Sequence, residues 1–171
     1  MANPVSARDI RRVIANATSL QVADRANIIM RVLAAMSACG VNQVLMMPEN
    51  GGICSLLKRG LQREQKLGDN RFPKLEMTDT PISGTVDDTF AATQAMVASG
   101  VKAIVVLGGD GTHRAVVKVC GQVPIAGIST GTNNAFPEHR EPTITGLAVG
   151  MVATGRIPEG IAFATNKLLR V

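Results

Sequence analysis

Apolar positions follow two rhythms along this chain, a helical spacing and short unbroken runs, and the two alternate from end to end. Ser6–Ile14 carries the helical spacing, with Ser6 and Asp9 placed as a capping box. Asn16–Leu20 interrupts it. Asp24–Ser37 resumes it, with Ile28, Ile29, Val32, Leu33 and Met36 on one face, and Gly40 ends it, as glycine commonly does. Val41–Met47 is an unbroken run and predicts a strand. Pro48–Gly52 is a turn, Ile53–Gln65 a helix and Gly68–Pro73 a polar connection. Leu75–Thr78 predicts a short strand. Thr85 and Asp88 resemble a capping box for a helix through Ala98, closed by Gly100. Ala103–Leu107 predicts a buried strand, Arg114–Val119 a helix, Val123–Ile128 a second buried strand, and Thr145–Ala153 a helix stopped by Gly155. Ile161–Thr165 and Lys167–Val171 are expected to begin further strands. Strands alternating with helices predict an α/β three-layer domain with a mostly parallel sheet.

Two of these strands empty into polar, glycine-rich loops. Leu107–His113 reads LGGDGTH, and Ser129–Phe136 reads STGTNNAF. Glycines let the backbone turn tightly and let its N–H groups approach a ligand. The helix behind the first loop favours an anion, because its first N–H groups are unpaired and its dipole end is positive. Phosphate is the expected guest. Asp110 is the odd residue there, since a bare carboxylate repels phosphate. It suits a site where it holds Mg²⁺, directly or through water, or takes a proton from an attacking hydroxyl. A tight turn with Asp110 as helix cap is the plain alternative. In an open parallel sheet both loops lie at the strands' carboxyl ends, where ligands bind. The side chains of Thr130, Thr132, Asn133 and Asn134 offer donors to phosphate, ribose or a base edge, or serve as turn residues.

Composition narrows the classes. A chain of 171 residues is one domain with room for a real core. No apolar run nears the ~18 residues of a membrane span. The first residues, with Arg8, Asp9, Arg11 and Arg12, do not read as a signal peptide, so the cytoplasm is expected. Trp and Tyr are absent and Phe numbers four, which argues against base stacking and hence against a nucleic-acid partner. The net charge of +5 is spread out, and Lys58, Arg59, Arg63 and Lys66 read as a solvated helix face. Cys39, Cys54 and Cys120 lack metal-ligand spacing. His113 follows the first loop, where packing of the helix's first turn is its plainer role, and His139 lies between prolines in a polar loop. No His/Cys cluster points to zinc, and no Ser/His/Asp arrangement points to a hydrolase.

GGDGT, followed one strand later by STGTNNAFP, resembles the superfamily of NAD kinases and diacylglycerol- or sphingosine-type lipid kinases. Asn3-Pro-Val-Ser-Ala7 is similar to the Asn-Pro-x-Ser-Gly loop near the start of those domains. ANPVSARDIRR, SGTVDDT and VVLGGDGTHRAV resemble the NAD-kinase-like branch of acetoin catabolism. The resemblance covers nearly the whole chain. It implies a Rossmann-like N-terminal domain of the NAD kinase and phosphofructokinase type, using ATP (polyphosphate in some NAD kinases) with Mg²⁺ and NAD as acceptor. It places Gly108, Gly109, Gly111 and Thr112 in a phosphate cradle and Asp110 as the metal-linked or base residue. Asn3 and Ser6 would form a second wall, and Gly131, Thr132, Asn133 and Asn134 a third.

The chain departs from the family's pattern in three places. Only Met1 and Ala2 precede Asn3, so the family's first strand is expected to be truncated. Ala7 stands where Gly is usual. Residues 1–160 would be the nucleotide-binding domain and 161–171 the start of a β-rich second domain that supplies much of the acceptor site. The chain alone is therefore expected to be inactive and to self-associate as a homo-oligomer. Two other readings stand beside the NAD kinase. One is a lipid kinase, whose second loop GTNN resembles, although no membrane-facing apolar helix shows. The other is a non-catalytic nucleotide-binding or regulatory module. A dehydrogenase fits poorly, for there is no GxGxxG.

Overall fold

The computed structural model describes residues 1–2, 20–68, 71–130, 134–162 and 164. The helix expected over Ser6–Ile14 lies outside them. The elements are α1 (Val22–Ala38), β1 (Gln43–Met46), α2 (Ile53–Lys66), β2 (Lys74–Met77), α3 (Val86–Ala98), β3 (Ile104–Gly108), α4 (Asp110–Val119), β4 (Ile125–Ser129), α5 (Pro142–Ala153) and α6 (Glu159–Ala162). The strand–helix alternation of the sequence is there, as a mixed α/β fold with short parallel strands.

The strands form two parallel pairs. β1 runs beside β2 from Gln43 opposite Lys74 to Met46 opposite Met77. β3 runs beside β4 from Ile104 opposite Ile125 to Gly108 opposite Ser129. A parallel pair needs a crossover, and α2 and α4 provide it. Ala2 adds one parallel bridge to Leu107. The Met1 ammonium donates to the Val105 carbonyl at 2.9 Å, and the Leu107 amide donates to the Met1 carbonyl at 2.8 Å. Burial pulls that ammonium's pKa down from 8.0 to about 6. A cavity of about 540 Å³ touches both pairs, lined by Val44, Met46, Val105, Leu33 and Val149 among others.

Two apolar clusters hold the elements. One gathers Ile29, Val32, Leu33 and Met36 of α1 with Leu57 of α2, Val149 of α5, Leu107 and Ile128. The other joins Ala92 and Met96 of α3 to Val116 of α4, Ile104 and Val106. The α1–α5 crossing depends on two glycines one helical turn apart. A Cβ on Gly146 would stand 2.6 Å from the Val32 carbonyl oxygen, and one on Gly150 would stand 2.7 Å from the Cys39 Cβ. Those contacts are too close for a side chain, so the helices meet nearly backbone to backbone.

Local signals account for most boundaries. Gly40, Gly100 and Gly155 each follow a helix in the left-handed region, at φ +89°, +74° and +69°. Thr85 caps α3 by accepting from the Asp87 amide at 3.2 Å. Asp88 reaches further back than a capping box, accepting from the Ser83 and Gly84 amides at 2.8 and 2.7 Å. Beyond shifts of one or two residues at several element ends, three boundaries differ from the sequence expectation. The fourth helix begins at Asp110, four residues before Arg114. The fifth begins at Pro142, where proline at the first helical turn lacks an N–H that would be unpaired anyway, and Glu141 accepts from the Ile144 amide at 2.7 Å. Ile161 and Ala162 close a helical turn instead of opening a strand.

Candidate functional site

β3 and β4 end side by side, so the loops after Gly108 and Ser129 leave from one edge of the pair. α4 starts at once, with Gly109 as its N-cap in an extended conformation and Asp110 as its first residue. The glycines here do not serve a left-handed turn, since none of Gly108, Gly109 and Gly111 has a positive φ. Two of them serve close approach. A Cβ on Gly108 would lie 2.7 Å from the Thr112 Cβ, and one on Gly109 would lie 2.9 Å from Asn134 Oδ1. Gly111 has open space around it.

The second loop is fastened to the first by Asp110 and Asn134. The Ala135 amide donates to Asp110 Oδ2 at 2.9 Å, and the Phe136 amide donates to Asp110 Oδ1 at 3.0 Å. Asn134 accepts a long 3.4 Å bond from the Asp110 amide. Its own Nδ2 donates to Ser129 Oγ at 2.7 Å. The Ser129 amide donates to the Glu138 carbonyl at 3.1 Å, which folds the second loop back on its strand. Burial by itself would push the Asp110 carboxyl up. The Ala135 and Phe136 N–H groups, with His113 nearby, outweigh it and hold the carboxyl below its usual range. Asp110 is thus ionised at neutral pH.

Of the residues singled out in the sequence, Gly108, Gly109, Asp110, Gly111, Thr112 and Asn134 come together at this edge. Thr112 is buried, its side chain against Gly108. Asn3, Ser6, Gly131, Thr132 and Asn133 lie outside the described residues. The sequence reading missed the Ala135 and Phe136 amides, because a backbone N–H carries no residue signature. A usable signal was one of only four Phe standing two residues after the Asn pair. Glu49, at the carboxyl end of β1, was read only as part of a turn. It caps α2, accepting from the Cys54 amide at 2.6 Å.

Among the described residues no three His, Cys, Asp or Glu side chains gather into a metal cage. Asp110 is the one acidic side chain of the two loops. That set suits Mg²⁺, which keeps most of its waters and takes one or two carboxylates with phosphate oxygens. It does not suit zinc, which wants four protein ligands or three. No helix among the described residues is long and apolar enough to cross a membrane.

Comparison with known proteins adds two findings. Residues 12–157 match the family described as the ATP-NAD kinase N-terminal domain. Acetoin catabolism protein X of Cupriavidus necator is 60% identical over 171 residues, the whole of this chain. The chain spans 47% of that relative's length. No solved structure matches it.

Proposed function

We infer the function from the premise that this chain belongs to the family of ATP-NAD kinase N-terminal domains. We propose that it forms the nucleotide-binding half of an ATP-dependent phosphotransferase, with NAD as the acceptor. The observation that carries this reading is an ionised Asp110 at the first turn of α4, between two glycines that leave no room for a side chain and a second loop pinned to its carboxylate.

The first turn of α4 turns its positive dipole end toward the phosphates of ATP. Gly108 and Gly109 let Thr112 and Asn134 pack against that turn, which fixes its place. Asn3, Ser6, Gly131, Thr132, Asn133 and Asn134 complete the walls in this proposal. Asp110 is the residue that would hold Mg²⁺, whose charge would offset that of the phosphates. A carboxylate held below its usual pKa is a weak base, so Asp110 orients the attacking hydroxyl rather than deprotonating it beforehand. Phosphoryl transfer passes through a loose transition state, for which positioning matters more than prior proton removal. We further propose a three-layer Rossmann-like arrangement for residues 1–160, acceptor walls contributed by a second domain, self-association, and a cytoplasmic location.

A second reading, nucleotide binding without catalysis, is favoured by one observation: both Asp110 oxygens are already engaged by loop amides. The lipid kinase is the third. One experiment separates them. The full-length protein is incubated with ATP, Mg²⁺ and either NAD or diacylglycerol vesicles. NADP formation supports the first reading and lipid phosphorylation the third. Tight ATP binding by calorimetry with no transfer to either acceptor supports the second.

A further inference from the structure

His113 sits three residues past Asp110 on α4 and faces inward, only 2% exposed. Its Nδ1 lies 3.0 Å from the Gly109 carbonyl oxygen, which can only accept, so the ring carries its proton there. Nε2 is buried and has no hydrogen-bond partner. It fills a gap in β4, for a Cβ on Gly127 would stand 2.6 Å from it. The ring also meets Phe136 at 5.9 Å between centroids, tilted by 58°. One side chain therefore touches the exit of β3, the middle of β4 and the second loop.

We propose that His113 is a positioning residue: seated in the space left by Gly127, its ring props Phe136 and sets where the second loop meets the Asp110 carboxylate. The loop is gripped from two sides. Asp110 holds the amides of Ala135 and Phe136, and His113 backs the Phe136 ring. Gly127 is the matching half of the device, since a Cβ there would meet the ring at 2.6 Å and displace it. A residue that merely fills the core would stabilise every part of the molecule alike. A prop acts on the loop first.

Amide hydrogen exchange tests this without reference to catalysis. His113→Ala removes the prop, and Gly127→Ala displaces it. Each is expected to speed exchange at Ala135 and Phe136 at least ~10-fold beyond any change at Val106 and Ile128 in the strands, the signature of local rather than global opening. Equal acceleration at loop and strands, or none at the loop, overturns the proposal. If neither variant folds, the nitrogen spectrum of the unaltered protein decides. The proposal requires the Nδ1–H tautomer and a through-space contact between the rings of His113 and Phe136, and finding the Nε2–H tautomer sinks it. The link to catalysis rests on the phosphotransferase reading. There His113→Asn, which keeps a donor for Gly109 but no ring, is expected to lower kcat ~10-fold with KM for ATP within ~2-fold, as for an interaction felt at the transition state. Unchanged kcat overturns that link. An inactive unaltered protein removes the phosphotransferase reading and leaves the exchange result standing.

Discussion

Asp110 and the glycines around it separate charge from shape. Asp110→Asn keeps the size and removes the charge, so turnover by the full-length protein is expected to fall by at least ~10², the scale of losing a positioning or electrostatic contact made at the transition state. Affinity for ATP, measured by calorimetry, should change less, because the first turn of α4 stays even though an Asn side chain can accept from only one of the two loop amides. The glycines differ among themselves. Gly108→Ala puts a Cβ 2.7 Å from the Thr112 side chain, an overpacking expected to destabilise by ~1–3 kcal/mol. Gly111→Ala meets nothing within 4 Å and lies inside α4. It should leave stability level or raise it by up to ~1 kcal/mol, since alanine gives up less backbone freedom in a helix. Chemical denaturation of the two variants checks the pair, and equal losses would contradict this division. The sequence shows three glycines around one aspartate but not which of them face a neighbour. That depends on Asn134 and Thr112 folding against them.

At the scale of elements, the α1–α5 crossing is the most exacting contact. Gly146→Ala and Gly150→Ala each force the helices apart and are expected to destabilise by ~1–3 kcal/mol. The Thr85→Ala change at the α3 cap should lose about 1 kcal/mol. Thermal denaturation of the three variants tests the ordering. Helix ends marked by glycine were legible in the sequence, because Gly40, Gly100 and Gly155 carry their φ requirement locally. The start of α4 was not. Glycine, aspartate, glycine and threonine read as loop by propensity, and the turn is helical because Asn134, Ala135 and Phe136, more than twenty residues on, bond to Asp110. The α5 start was misplaced for a milder reason, since Pro142 signals a first turn only once the pattern after it is trusted.

At the scale of the whole molecule, two buried bases set the pH response. Burial lowers the His113 pKa from 6.5, and it lowers the Met1 ammonium from 8.0 to about 6. In both cases the unfolded chain binds the proton more tightly, so stability rises with pH across this range. The Met1 contribution is complete above pH 8.0 and lost toward pH 6. The His113 contribution is complete above 6.5 and lost below it. Urea midpoints should therefore climb from acid to mildly alkaline pH, and His113→Asn should flatten the lower part of the climb. A slope unchanged by that substitution would assign the effect elsewhere.

The cavity beside β1 and β3 is also volume that the unfolded chain does not have. Hydrostatic pressure favours whichever state occupies less space, and empty space abolished on unfolding is what it acts on. The folded chain should therefore yield to compression, with a volume decrease within the ~20–100 mL/mol seen for globular proteins.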